Sequence, residues 1–282
     1  TNGSDACTEC APGLYSTGKG QTHDTCAMCG ANRYSSANRS MCIACSLNAV
    51  SAEGSSAVED CKCDVGYTGP GGGECVACVE GKYKATNGSD ACTECAAGKH
   101  LPSAGSATDA CQSCGAHHYS SANRSMCLPC PANAVSAEGS SAVEDCKCDV
   151  GYTGPGGGEC VACVEGKYKA TNGSDACTEC AAGKHLPSAG AATDACQSCS
   201  AHHYSSANRS ACLPCPSNAV SAGGSSAVED CKCDLGFTGP DGGACVACVE
   251  GKYKATNGSD ACTDCAAGKH LPSAGAATDA CQ

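Results

Sequence analysis

The stretch CVEGKYKATNGSDACTEC, residues 78–95, runs from the last cysteine of one cluster, through a cysteine-free loop, into the next cluster, CTEC. Three places after Cys78 stands Gly81, and five places after it stands Tyr83. Glycine and asparagine tolerate positive φ, so the third place predicts a tight turn. The ring at the fifth place can then lie across neighbouring sulfurs. The same grammar follows the earlier clusters, with Gly13, Asn32, Asn48 and Gly66 at the turn. Tyr15, Tyr34 and Val50 take the ring position, and Tyr67 falls one place early. No segment sustains a period near 3.6 residues. The expected fold class is a small disulfide-rich repeat protein: an elongated rod of short β-hairpin or loop modules, with little regular secondary structure and minimal helix.

Outward from this loop, a shift of 85 residues aligns the chain without gaps, so Cys7, Cys92, Cys177 and Cys262 correspond. The units are 1–85, 86–170, 171–255 and a partial fourth, 256–282. Such periodicity marks a solenoid or a string of modules. Within the first unit the clusters CTEC, CAMC, CIAC, CKC and CVAC recur roughly every 17 residues.

This order suggests that the last cysteine of each cluster pairs with the first of the next. In the first unit the pairs are Cys10–Cys26, Cys29–Cys42, Cys45–Cys61, Cys63–Cys75 and Cys78–Cys92. The second continues with Cys95–Cys111, Cys114–Cys127, Cys130–Cys146, Cys148–Cys160 and Cys163–Cys177. Next come Cys180–Cys196, Cys199–Cys212, Cys215–Cys231, Cys233–Cys245, Cys248–Cys262 and Cys265–Cys281. Cys7 is left over, its partner expected upstream in a longer protein of which this chain is a window. Spacing alone does not decide connectivity, and a bridge within a cluster, such as Cys7–Cys10, is the alternative. Closing a loop of about 15 residues removes on the order of 3 kcal/mol of unfolded-state entropy. Segments below about 40 residues rarely fold without such a staple. If each hairpin advances the rod by two strand spacings, about 10 Å, one unit spans about 50 Å.

Composition agrees. Of 282 residues 33 are cysteine, which makes a disulfide scaffold the default reading. Trp is absent and Phe occurs once, so a large aromatic core is excluded. Thiols in this number point to an oxidising compartment. Asn-x-Ser sequons at Asn2, Asn38, Asn87, Asn123, Asn172, Asn208 and Asn257 point to a secreted or extracellular-surface glycoprotein. Ser and Thr are abundant enough for O-linked sugars as well. The formal net charge of −12, without any Lys/Arg run, argues against nucleic acid and anionic membranes. No apolar run approaches the roughly 18 residues of a membrane helix.

CAPGLYSTGKGQTHDTCAMC and CVEGKYKATNGSDACTEC resemble the ephrin-receptor-like cysteine-rich repeat, related in style to modules of tumour-necrosis-factor receptors. CKCDVGYTGPGGGEC resembles the C-terminal half of an EGF-like module. That second resemblance implies the pairs Cys63–Cys75, Cys148–Cys160 and Cys233–Cys245, although no complete six-cysteine EGF order is present. Long arrays of this style are similar to those of algal and protist surface proteins, including mastigoneme shafts and CxxC-rich coat antigens. The resemblance implies an extracellular structural or coat role.

Other chemistries fit less well. CTEC followed by CAMC has a four-cysteine zinc spacing, but ten cysteines per unit do not divide into fours. Thioredoxin-like redox chemistry needs a βαβ setting that the pattern does not supply. His117, His118, His202 and His203 could suggest metal but are read as structural: His117 takes the turn and Tyr119 the ring position, and the first unit has Asn32 and Arg33 instead, so a metal site would be missing there. His100, His185 and His270 are read as occupants of the ring position. Glu59, Asp60 and Asp64 could offer oxygens to calcium and are read as a solvated acidic face.

The expectation is therefore a non-enzymatic protein without cofactor, metal or catalytic residues. It would be a disulfide-stapled rod that self-associates into a filament or fibre, such as a flagellar hair or cell-surface fibril. The alternative is the stalk of a surface receptor or coat antigen involved in binding or adhesion.

Overall fold

The computed structural model describes residues 9–18 and 25–282. Cys7 and Asn2 lie outside the described residues. The chain folds as a series of two-stranded antiparallel hairpins, fifteen among the described residues. Most strands are two residues long, as in Lys82–Tyr83 paired with Thr93–Glu94. Longer ones occur at Arg33–Ser35 and its equivalents His118–Ser120 and His203–Ser205. The only helical elements described are one-turn 3-10 segments at Val58–Asp60, Val143–Asp145 and Val228–Asp230. None of the described helices is long and apolar enough to cross a membrane.

A hairpin this short is not stable alone in water. Each one here is closed by a disulfide. Sixteen bridges run from Cys10–Cys26 to Cys265–Cys281, each joining the last cysteine of one cluster to the first of the next. The cluster has a second use: its middle residues form the return strand of the hairpin, as Ala27–Met28 between Cys26 and Cys29.

The turn at the third place is left-handed in every hairpin of the first unit. Gly13, Gly66 and Gly81 have φ of 84°, 80° and 80°, and Asn32 and Asn48 have 64° and 59°. The glycine and Asn32 carbonyls accept from the last cysteine of the next cluster, as Gly81 O from Cys95 N at 2.9 Å, whereas Asn48 O accepts from Asp64 N at 2.9 Å.

Sulfur supplies the interior. The buried apolar residues are almost all half-cystines, joined by Leu101, Leu186, Leu271 and Ala219. Without an aliphatic core, stability rests on loop closure and on contacts between successive hairpins.

Two units form, Thr1–Cys130 with Ser136–Cys146, and Pro131–Val135 with Lys147–Gln282. In the first, a parallel bridge joins Tyr83 to Ser106 of the following hairpin, and Tyr34 to Ser55. In the second, Tyr168–Ala191 and Tyr253–Ala276 repeat the former bridge and Tyr204–Ser225 the latter.

Candidate functional site

The recurring feature of the surface is the joint between hairpins. Its backbone part starts at the left-handed turn, whose N–H faces the next hairpin. Asn32 N donates to Ser51 O at 2.9 Å, Gly66 N to Lys84 O at 2.8 Å, and Gly81 N to Leu101 O at 2.8 Å. The turn also abuts the loop two hairpins on. A Cβ on Gly81 would stand 2.0 Å from the Asn123 carbonyl oxygen, and one on Gly98 2.0 Å from that of Gly139. Both distances are impossible for a real side chain, so glycine is needed for the close approach as well as for its φ.

Charged side chains clamp the same joint. Arg124, left-handed with φ 58°, donates to Cys95 O and pairs with Glu94 at 3.0 Å. Lys82 reaches the other Glu94 oxygen at 2.9 Å. Lys167, Glu179 and Arg209 repeat the arrangement. The hydrogen bond and charge of Lys82, with the Arg124 charge behind them, hold the Glu94 carboxyl below its usual range. Lys167 and Arg209 do the same to Glu179. The first unit keeps a weaker version in Arg39 and Glu9, 3.3 Å apart.

A second link is a buried cation. Lys84 is 3% exposed, and its Nζ donates to Tyr67 O at 2.9 Å and Gly88 O at 2.6 Å. Lys169 and Lys254 are placed in the same way. The spacing grammar had no position for this lysine, because its acceptors are main-chain carbonyls and leave no trace in residue type.

The histidines fall into two groups. His117 and His202 form left-handed turns with φ of 63° and 67°, where the first unit uses Asn32. His118 and His203 each bond the carbonyl two residues back. His100 lies at the ring position with Nδ1 3.1 Å from Cys127 Sγ and 3.1 Å from Gln112 O. His100, Cys114 and Cys127 thus sit together, as do His185, Cys199 and Cys212, but both sulfurs of each group are joined in one disulfide. A disulfide sulfur lacks the thiolate charge that binds a metal. His270 is exposed and exchanges backbone hydrogen bonds with Gln282.

The acidic triplet is dispersed among local tasks. Asp60 Oδ2 accepts from Ser56 N at 2.8 Å and Ala57 N at 3.0 Å, bonds that lower its pKa. Asp64 Oδ1 accepts from Val65 N, and Glu59 is exposed. Asp230 repeats the role of Asp60.

The described sequon asparagines, Asn38, Asn87, Asn123, Asn172, Asn208 and Asn257, are all exposed. They form two classes. In Asn-Arg-Ser the Oδ1 is held by serines on both sides: Asn208 Oδ1 accepts from Ser206 Oγ, Ser210 N and Ser210 Oγ. In Asn-Gly-Ser the amide makes no such bond, and the neighbouring glycine is anchored instead, Gly88 N donating to Cys63 O at 2.9 Å.

Residues 66–110 and 151–195 match the family described as tyrosine-protein kinase ephrin type A/B receptor-like. These stretches, less than half of the chain, are similar to its cysteine-rich repeats. Each match begins at the left-handed glycine of a CKCDVGYTG segment and so takes in part of the CKCDVGYTGPGGGEC stretch. No curated protein matches the chain. The chain is a cysteine-rich repeat protein of extracellular type, whose disulfides suit an oxidising environment.

Proposed function

We propose that this chain belongs to a non-enzymatic extracellular structural glycoprotein whose repeats form or decorate a filament, in the manner of a flagellar hair or surface fibril. The observation that carries the reading is an apolar pair at a constant step. Val76 and Val79 are 53% and 62% exposed, Val161 and Val164 53% and 62%, and Val246 and Val249 61% and 61%. The pair recurs every 85 residues of sequence, and repeated heterologous contacts through such recurring surfaces build open filaments.

Electron microscopy and sedimentation of the secreted protein test this. Laterally ordered fibres that dissolve on Val79→Lys, Val164→Lys and Val249→Lys together support the reading. Monodisperse monomers at every concentration would overturn it. A second reading, the stalk of a receptor or coat antigen, draws on the receptor-like family similarity of residues 66–110 and 151–195. Specific capture of a cell-surface ligand without fibres would favour that stalk. A zinc or redox enzyme predicts free thiols, so thiol titration under denaturant separates it from both.

A further inference from the structure

Three surface grooves each carry a sequon asparagine in the wall. One, of about 650 Å³, is lined by Val50, Ser51, Glu53, Asp60, Lys62 and Asn87 among others. Its counterpart two repeats on, about 640 Å³, includes Val220, Ser221, Asp230, Lys232 and Asn257. The third, about 470 Å³, is built on a charged joint, with Val164, Lys167, Glu179, Ala207, Asn208 and Arg209. From this coincidence we infer that the grooves are carbohydrate seats, each holding the first N-acetylhexosamine units of a glycan attached to its own asparagine. The inference rests on the secreted, glycosylated reading above.

Charge argues against an anion. The first groove carries Glu53 and Asp60 with Lys62, the second Asp230 and Asp234 with Lys232, whose ammonium is paired to Asp241 at 2.6 Å, and the third Glu165 and Glu179 with Lys167 and Arg209. An anionic ligand would meet repulsion from these carboxylates. A neutral polyhydroxylated one can donate to the carboxylate and serines and accept from the cation. Ala207 offers apolar surface to the C–H face of a pyranose ring. The volumes fall within the roughly 300–1,000 Å³ of small-molecule sites.

The attachment points are held in place. Lys84 Nζ fixes Gly88 O and Cys63 O fixes Gly88 N, which pins the loop carrying Asn87. The three bonds to Asn208 engage Oδ1, which leaves Nδ2 for the sugar. In the attachment step Nδ2 bonds to the anomeric carbon of a lipid-diphosphate-linked oligosaccharide, the diphosphate leaves and the amide loses one proton. A tethered sugar sees its groove at an effective concentration on the order of millimolar, so weak contacts suffice to seat it.

The test uses the chain secreted from a glycosylating host and an endoglycosidase that cuts between the first two sugars. Release is followed site by site by mass spectrometry. Ala52→Trp and Ala207→Trp fill the grooves from exposed positions. Ala52→Trp is expected to speed release at Asn87 about tenfold and leave Asn208 unchanged, and Ala207→Trp to do the reverse. Trimming the unsubstituted protein is also expected to speed amide exchange over residues 51–55. Glycans whose release and exchange do not respond would overturn the seats and leave the secreted reading standing. Bare asparagines would overturn the seats together with the glycosylated part of that reading.

Discussion

Gly81 N donates to Leu101 O at 2.8 Å across the joint between consecutive hairpins, and the bond recurs as Gly166 to Leu186 and Gly251 to Leu271. The glycine has φ +80° and a carbonyl of Asn123 2.0 Å from where a Cβ would stand. Gly81→Ala is therefore expected to destabilise the array locally by about 2–4 kcal/mol, from left-handed strain plus the clash. Gly115→Ala is the control, because a Cβ there meets nothing within 4 Å. Site-resolved hydrogen exchange should show faster opening around Leu101 in the first variant and no change in the second.

Lys84 gives a different kind of prediction. Replacing it with Met keeps most of the buried stem and removes the ammonium, which strands the carbonyls of Tyr67 and Gly88. A loss of about 3 kcal/mol follows from two charge-assisted bonds and two unsatisfied acceptors. The 85–91 loop should lose exchange protection first. A variant as stable as the parent would show that water replaces the ammonium at no cost.

Acid should loosen the joints. The Glu94 and Glu179 carboxyls are depressed by Lys82 and Lys167 above all, and Asp60 and Asp230 by backbone amides of the preceding turn. A depressed carboxyl contributes stability that is complete above its unfolded pKa, about 4, and lost as pH falls through the folded value. Thermal stability is thus expected to decline below about pH 4. Glu94→Gln combined with Glu179→Gln should flatten part of that decline. Salt should shrink their contribution, since both glutamates are half exposed.

Removing one staple tests the energetics of the module. Cys95→Ser with Cys111→Ser opens a loop of sequence separation 16, and the chain-entropy model assigns it about 3 kcal/mol. Because each hairpin has its own bridge, the loss should stay local: protection falls between residues 95 and 111 and persists in distant hairpins. Cooperative unfolding of the whole chain would contradict a stack of self-closed modules.

Much of the module was legible from residue order alone. Cysteine clusters at short intervals announce sulfur-closed loops. Gly81 or Asn32 at a constant place announces a left-handed turn, because backbone sterics act within a residue and its neighbours. His117 could be read as a turn residue for the same reason. The joints were not legible. Whether Asn123 roofs Gly81, whether Arg124 reaches Glu94 and whether Lys84 finds two carbonyls depend on how successive hairpins tilt and stack. That tilt is set by contacts between residues far apart in the chain, several of them main-chain atoms that every residue type shares. The grooves beside Asn87, Asn208 and Asn257 arise from the same stacking, so a sequon seen in the sequence acquires its walls only when neighbouring hairpins come together.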